Sequence, residues 1–281
     1  MGEREHRAGL RVRDAAADDL DAVVALTQRR RAQLAAWQPE FWNPSADADL
    51  LHRMWLEYLI QSETPTRVVV DEDVICAFAV SVPQGGQTFV DDVAVAPGRG
   101  PDAGVRLLAA IPEHPALLCV PAGDAELHSA ADAAGVSWVS SYWLLRTDPA
   151  THGEGVRLTR SGDPVDPALE APAHTLWSGN PAAMAMEVWR GDGVVVASPP
   201  VAAPPIYDPG GPTCVIDRVQ GVDRAALLDR AVRTAFDRGD VGVLVVADAG
   251  DHELLAALAA DGWRHVVDVG RLAPVDTPSA R

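Results

Sequence analysis

Two adjacent carboxylates, Asp91 and Asp92, open the stretch Val90 Asp91 Asp92 Val93 Ala94 Val95 Ala96 Pro97 Gly98 Arg99 Gly100 Pro101 Asp102 Ala103 Gly104 Val105 Arg106 Leu107 Leu108. A positioned acid residue can take a proton from a reacting group, directly or through water, so both are candidate general bases. Past Pro97 a glycine-bearing turn leads into a helical pattern opened by Leu107 and Leu108. Helix N-termini carry unpaired N–H groups and partial positive charge, and glycines let backbone approach a ligand closely. The chemistry of this junction is therefore anion binding. The plainer alternative is that Asp102 caps the helix and that Asp91 and Asp92 are solvated or turn-capping groups.

These residues need a strand, a loop and a helix to hold them. Thr88 to Val95 reads as the strand, and the aspartate pair interrupts its alternation, so one of them faces inward unless the strand bulges. Upstream, Leu10 and Val12 alternate with Arg11 and Arg13 as a short strand. Asp18 or Asp19 can then cap a helix carrying Leu20, Val23, Val24, Thr27 and Leu34. An aromatic loop (Trp37, Phe41, Trp42) precedes a second amphipathic helix on which Leu51, Trp55 and Leu59 recur, flanked by Met54 and Tyr58. Arg67 to Val70 and Val74 to Val82 form a hairpin about the acidic turn Asp71 to Asp73, and Gly85 and Gly86 make a second turn. Downstream, the helix from Gly104 is ended by Pro112 and Pro115. The strand Leu117 to Val120, a helix ending at Gly135 and the strand Trp138 to Leu145 follow.

The loop resembles the pyrophosphate loop of the GNAT superfamily of acyl-CoA-dependent N-acyltransferases, Arg/Gln-x-x-Gly-x-Gly/Ala after a strand ending Val-x-Pro. Arg99 and Gly104 fall on its first and last positions, whereas Asp102 replaces the inner glycine. Asp91 to Val95 is similar to the Glu-Asp-x-x-Val of polyamine-type members; where many others carry the acid, this chain has Phe89. The resemblance implies that the backbone of Val93, Ala94 and Val95 aligns the pantetheine. It places the pyrophosphate on Arg99, Gly100, Ala103, Gly104 and Val105, and has the strand splay from its neighbour to admit the thioester. Trp37, Phe41, Trp42 and Tyr58 become candidates for lining the acceptor pocket, with ordinary core packing as the alternative. Asp124 stands where the family has Asn, Val136 where it has Phe, and Ala131 where a tyrosine usually protonates the departing thiolate.

The second half repeats the first. Gly85 Gly86 x Thr88 x Val90 x Asp92 matches Gly210 Gly211 x Thr213 x Val215 x Asp217 at an offset of 125. Gly123 Asp124 x Glu126 Leu127 and Gly135 match Gly250 Asp251 x Glu253 Leu254 and Gly262 at 127. This is the mark of an internal duplication. In the second copy Ala185 to Val188 and Val194 to Ala197 correspond to the hairpin, and Pro199, Pro200, Pro204 and Pro205 interrupt the sheet edge. Arg224 takes the place of Gly104 and Leu258 that of the tyrosine, which makes this copy structural. The expected fold class is α/β (α+β), two GNAT-like domains each with a mixed, mostly antiparallel sheet flanked by helices. The expected division is 1–148, a linker over 149–174, and a truncated copy over 175–281.

A net charge of −17 over 281 residues disfavours nucleic acid and anionic membrane as partners. All 23 basic residues are arginine. Cys76, Cys119 and Cys214 are odd in number and far apart, the signature of a reducing compartment and a cytoplasmic location. Cys119 and Cys214 read as buried small apolar residues. No spacing suggests a metal, and His52, His128, His174, His252 and His265 form no recognisable catalytic set, each defaulting to a surface or packed histidine. The resemblance implies acetyl-CoA as acyl donor and a small-molecule or peptide amine as acceptor, with a homodimer left open. The alternative is a non-catalytic binding or regulatory protein that keeps the fold without CoA.

Overall fold

The duplicated blocks fold into one element order. A computed structural model describes residues 9–62, 64–84, 87–111, 115–146, 158–161, 187–201, 206–207 and 210–273. The Gly85–Gly86 turn lies outside the described residues, as does most of 149–174. The chain divides into two compact units: residues 1–37, 46–138 and 268–281 in the first, 38–45 and 139–267 in the second.

The first unit opens with β1 (Arg11–Asp14), a short 3₁₀ turn, α1 (Leu20–Trp37) and α2 (Ala48–Gln61). Asp19 fixes the entry to α1: its carboxylate accepts from the Ala16 N–H at 2.7 Å and from both terminal nitrogens of Arg13. Then come β2 (Thr66–Asp71), β3 (Val74–Gln84), β4 (Gln87–Val95), α3 (Gly100–Ala109), β5 (Ala116–Pro121) and α4 (Ala125–Ala133). The strands order β1-β2-β3-β4-β5, antiparallel except for the parallel pair β4–β5. On one face Val23, Val24 and Leu26 of α1 and Leu56 and Leu59 of α2 meet Val68, Phe78, Val80 and Ala94. On the other, Ala103, Leu107 and Leu108 of α3 and Leu127 and Ala131 of α4 meet Val69, Ala77, Val90, Val93 and Leu118.

The buried face of α2 differs from the expected stripe. Ala48, His52, Leu56 and Leu59 point inward, whereas Met54, Trp55 and Tyr58 are exposed. The aromatics of this helix stack on one another, Trp55 on Tyr58 at 5.8 Å.

In the second unit β8 (Glu187–Arg190) and β9 (Gly193–Val201) form the hairpin, followed by β10 (Thr213–Gly221), α5 (Arg224–Asp237), β11 (Gly242–Asp248) and α6 (His252–Ala260). A short strand, β7 (Thr159–Ser161), pairs with β8 inside the stretch read as linker. Pro199 and Pro200 do not end β9; they sit in a register irregularity between the pairs Val201↔Thr213 and Ser198↔Val215, where missing N–H donors are tolerated.

Matched residues do matched work. The Asp124 side chain accepts from the Leu127 N–H at 3.0 Å and that of Asp251 from the Leu254 N–H at 3.2 Å, each capping its helix. Gly135 and Gly262 follow those helices at φ 76° and 79°, a left-handed conformation suited to glycine. Thr88↔Ala116 opens the parallel ladder of the first copy and Thr213↔Gly242 that of the second.

The fold class is the one expected, α/β with a mostly antiparallel sheet. The closing strand of the first copy, β6 (Ser137–Leu145), pairs antiparallel with β11 and lies in the second unit from Val139 onward. The closing strand of the second copy, β12 (Arg264–Leu272), enters the first unit at Asp268, where Leu272 joins the core. No helix of the described residues is long and apolar enough to cross a membrane.

Candidate active site

The site is built around a bulge in β4. Pairing with β3 runs Ala77↔Val95 to Ala79↔Val93 and resumes at Ser81↔Val90, so Asp91 and Asp92 together oppose Val80. The extra residue puts Val90 and Val93 on the α3–α4 face and leaves Asp92 with Ala94 on the α1–α2 face. Registered pairing with β5 stops at Val90↔Leu118, one residue before the bulge, although β4 continues to Val95 and β5 to Pro121. Val93 to Val95 therefore have a β5-facing edge without a ladder, as the splay expected from the resemblance requires. The second copy repeats this: its ladder stops at Ile216↔Val245, and Asp217 is the extra residue between Ile216↔Ala197 and Arg218↔Val196.

Asp92 is gripped from the helices. Its Oδ2 lies 2.8 Å from His52 Nε2, and Arg31 holds the other ring nitrogen, Nδ1, while also reaching Asp49. Arg31 and His52 are each buried, at 4% exposure, and the Asp92 side chain is 28% exposed. Burial pushes the Asp92 carboxyl up. His52 at hydrogen-bond distance, with Arg30 and Arg31 behind it, more than offsets that and holds it below the ordinary carboxylate range. Asp92 is thus an ionised carboxylate with one face open. The Asp91 side chain lies outside the described residues.

Arg31 was not singled out in the sequence and His52 was read as a surface or packed histidine, yet a signal existed. Arg31 stands on the face of α1 that buries Val23, Val24, Thr27 and Leu34, and His52 on the face of α2 that buries Ala48, Leu56 and Leu59. A charged or polar group on a buried helix face requires a partner, and each supplies the other's.

The glycine loop is arranged otherwise than its motif suggests. Helix α3 begins at Gly100, not Gly104, with Arg99 as N-cap, no side-chain cap, and Pro101 in its first turn supplying no N–H. Gly104 lies in the second turn as a packing residue. A Cβ there would stand 2.5 Å from the Ala130 Cβ of α4 and 3.4 Å from Val95. Ala103 is fully buried against the same core. The donors that remain are flanked by acids: the Gly98 N–H donates to Glu126 at 3.4 Å, Arg99 is paired with Asp71 at 2.5 Å, and Asp102 sits in the first turn. In the second copy the corresponding end is closed, because Asp223 accepts from the Ala226 N–H and Arg224 binds Asp251 at 2.7 Å.

The aromatic candidates are divided. Trp37, 39% exposed, and Tyr58 belong to the first unit, and the Trp37 indole lies where a side chain on Gly123 would be. Phe41 and Trp42 belong to the second, both buried, with Trp42 edge-on to Tyr207 at 5.2 Å. Ala131 is fully buried, so no phenol stands at the family's general-acid position. Cys76, Cys119 and Cys214 are all buried and none of them forms a disulfide.

No family model and no curated protein matches the chain. Among solved structures the GNAT resemblance recurs. A GCN5-related N-acetyltransferase from Sphaerobacter thermophilus is 15% identical over 96% of this chain and 98% of its own, with a TM-score of 0.49. A tandem GNAT protein from the clavulanic acid biosynthesis pathway is 17% identical over 95% of this chain and all of its own, at 0.43. A putative acetyltransferase from Salmonella typhimurium, solved with acetyl-CoA, is 16% identical over 46% of this chain and 80% of its own, at 0.37.

Proposed function

We propose that the protein is an acyl-CoA-dependent N-acyltransferase of the GNAT type, with acetyl-CoA as donor and an amine as acceptor. The first copy carries the reaction and the second serves structure. The observation that carries this reading is the β4 bulge: one extra residue ends the ladder to β5 and, at the same point, presents an ionised carboxylate. An unpaired strand edge offers backbone hydrogen bonds to the pantetheine amides, along Val93 to Val95. Asp92 attracts the acceptor ammonium and takes its proton, leaving a neutral amine whose nitrogen attacks the thioester carbonyl. The C–N bond forms and the C–S bond breaks; the attacking nitrogen passes its second proton through water to the departing thiolate, leaving amide and thiol, and Asp92 returns the first proton to solvent.

A second reading is favoured by one cluster. Asp71, Asp102 and Glu126 around the start of α3 repel a diphosphate, which suits a protein that keeps the fold for binding or regulation without CoA. Calorimetric titration of acetyl-CoA into the purified protein decides between them. Saturable binding at one site per chain supports the transferase. No heat at millimolar ligand, with the protein folded, supports the second reading.

A further inference from the structure

We infer that Arg31 and His52 are positioning residues for Asp92: Arg31 locks His52 as the neutral Nε2–H tautomer, and that single N–H pins one carboxylate oxygen so that the other meets the acceptor ammonium. The inference rests on the acyl-transfer reading for its use but on this chain's own geometry for its existence. A guanidinium only donates, so the ring nitrogen it holds, Nδ1, must be the unprotonated one. The ring's remaining proton then belongs on Nε2, the atom 2.8 Å from Asp92 Oδ2. Asp92 itself only accepts, so the two contacts demand the same tautomer.

Arg31 is in turn tied to Asp49, and neither it nor His52 has an exposed face on which to rearrange. Among the described residues, the charged groups linked to this cluster are Arg30 and Arg31 from α1, Asp49 from α2 and Asp92 from β4; Arg30 also lies 3.7 Å from Asp124 of the β5–α4 turn. With Nδ1 engaged by Arg31 and Nε2 turned to Asp92, the ring offers no free lone pair to the ammonium's proton. The ammonium's proton goes to the Asp92 carboxylate, and the imidazole N–H steadies the acid before and after.

The chain labelled with ¹⁵N at histidine tests this without substrate. Multiple-bond ¹H–¹⁵N correlation of the unliganded protein at neutral pH is expected to give His52 one pyridine-like nitrogen at Nδ1 and one pyrrole-like nitrogen at Nε2. Arg31→Lys, which keeps a donor, is expected to preserve the pattern, and Arg31→Met to mix the two tautomers. Two pyrrole-like nitrogens, an Nδ1–H tautomer, or an Arg31→Met spectrum identical to that of the parent would overturn the inference. The wild-type spectrum decides even if a variant fails to fold. Absence of acetyl-CoA binding removes the functional reading but leaves this tautomer standing, so the two failures are distinguishable.

Discussion

Gly104 separates two accounts of the same residue, one in which it makes room for a phosphate and one in which it makes room for a helix. In the structure a Cβ at Gly104 falls 2.5 Å from the Ala130 Cβ, about 1 Å inside the usual carbon–carbon contact. Both atoms sit on helix backbones, so α3 and α4 must part rather than a side chain swing aside. Overpacking of this kind costs about 1–3 kcal/mol, and two fixed backbones put it near the upper end. Alanine returns roughly 1 kcal/mol of helix propensity. Gly104→Ala should then destabilise by about 2 kcal/mol, lowering the midpoint of the first unit's thermal transition by roughly 4–8 °C. Ala130→Gly creates the missing space, so the double variant should recover most of the overpacking loss, a coupling a double-mutant cycle in urea measures directly. If Gly104→Ala were as stable as the parent and acetyl-CoA affinity alone fell, the close packing of α3 on α4 would be wrong and the phosphate account right.

Removing either matched cap, Asp124→Ala or Asp251→Ala, should cost about 1 kcal/mol by chemical denaturation, since each carboxylate satisfies a first-turn N–H. Asp19 is held below its ordinary range chiefly by the Arg13 hydrogen bond, against burial and with help from the Ala16 N–H. Its contribution is present above its unfolded value and is lost as pH falls through the lowered folded one, so Asp19→Asn should flatten the acid limb of the urea midpoint below about pH 4. Cys214 is buried and its thiol is pushed up to about 12, so native protein at pH 8 should leave it unmodified by maleimide while urea exposes it, as peptide mapping would report.

Local chemistry was legible in the chain. Asp124 and Asp251 cap, Gly135 and Gly262 terminate, and the paired aspartates at the end of an alternating run announced a bulge, because each feature depends on neighbours within a few residues. The exchange of β6 and β12 was not, since nothing within a strand's own sequence states which of two homologous neighbours it pairs with. The packing of Gly104 on Ala130 was not legible, because one glycine can satisfy two demands, a phosphate's approach and a helix's, and the sequence does not show which neighbour it meets. His52 and Arg31 lie in different helices, far from Asp92 in sequence; their apolar-face positions hinted at partners without naming them.

Amide spectra of the ¹⁵N-labelled protein titrated with acetyl-CoA bear most directly on the central claim, that the β4 opening of the first copy receives the donor. Shifts should appear at Val93 to Val95 and at Gly98, Arg99, Gly100 and Asp102, and be absent at Val219 to Arg224, where the second copy's helix end is already capped. Perturbation of the second copy alone, or of neither, would contradict the account.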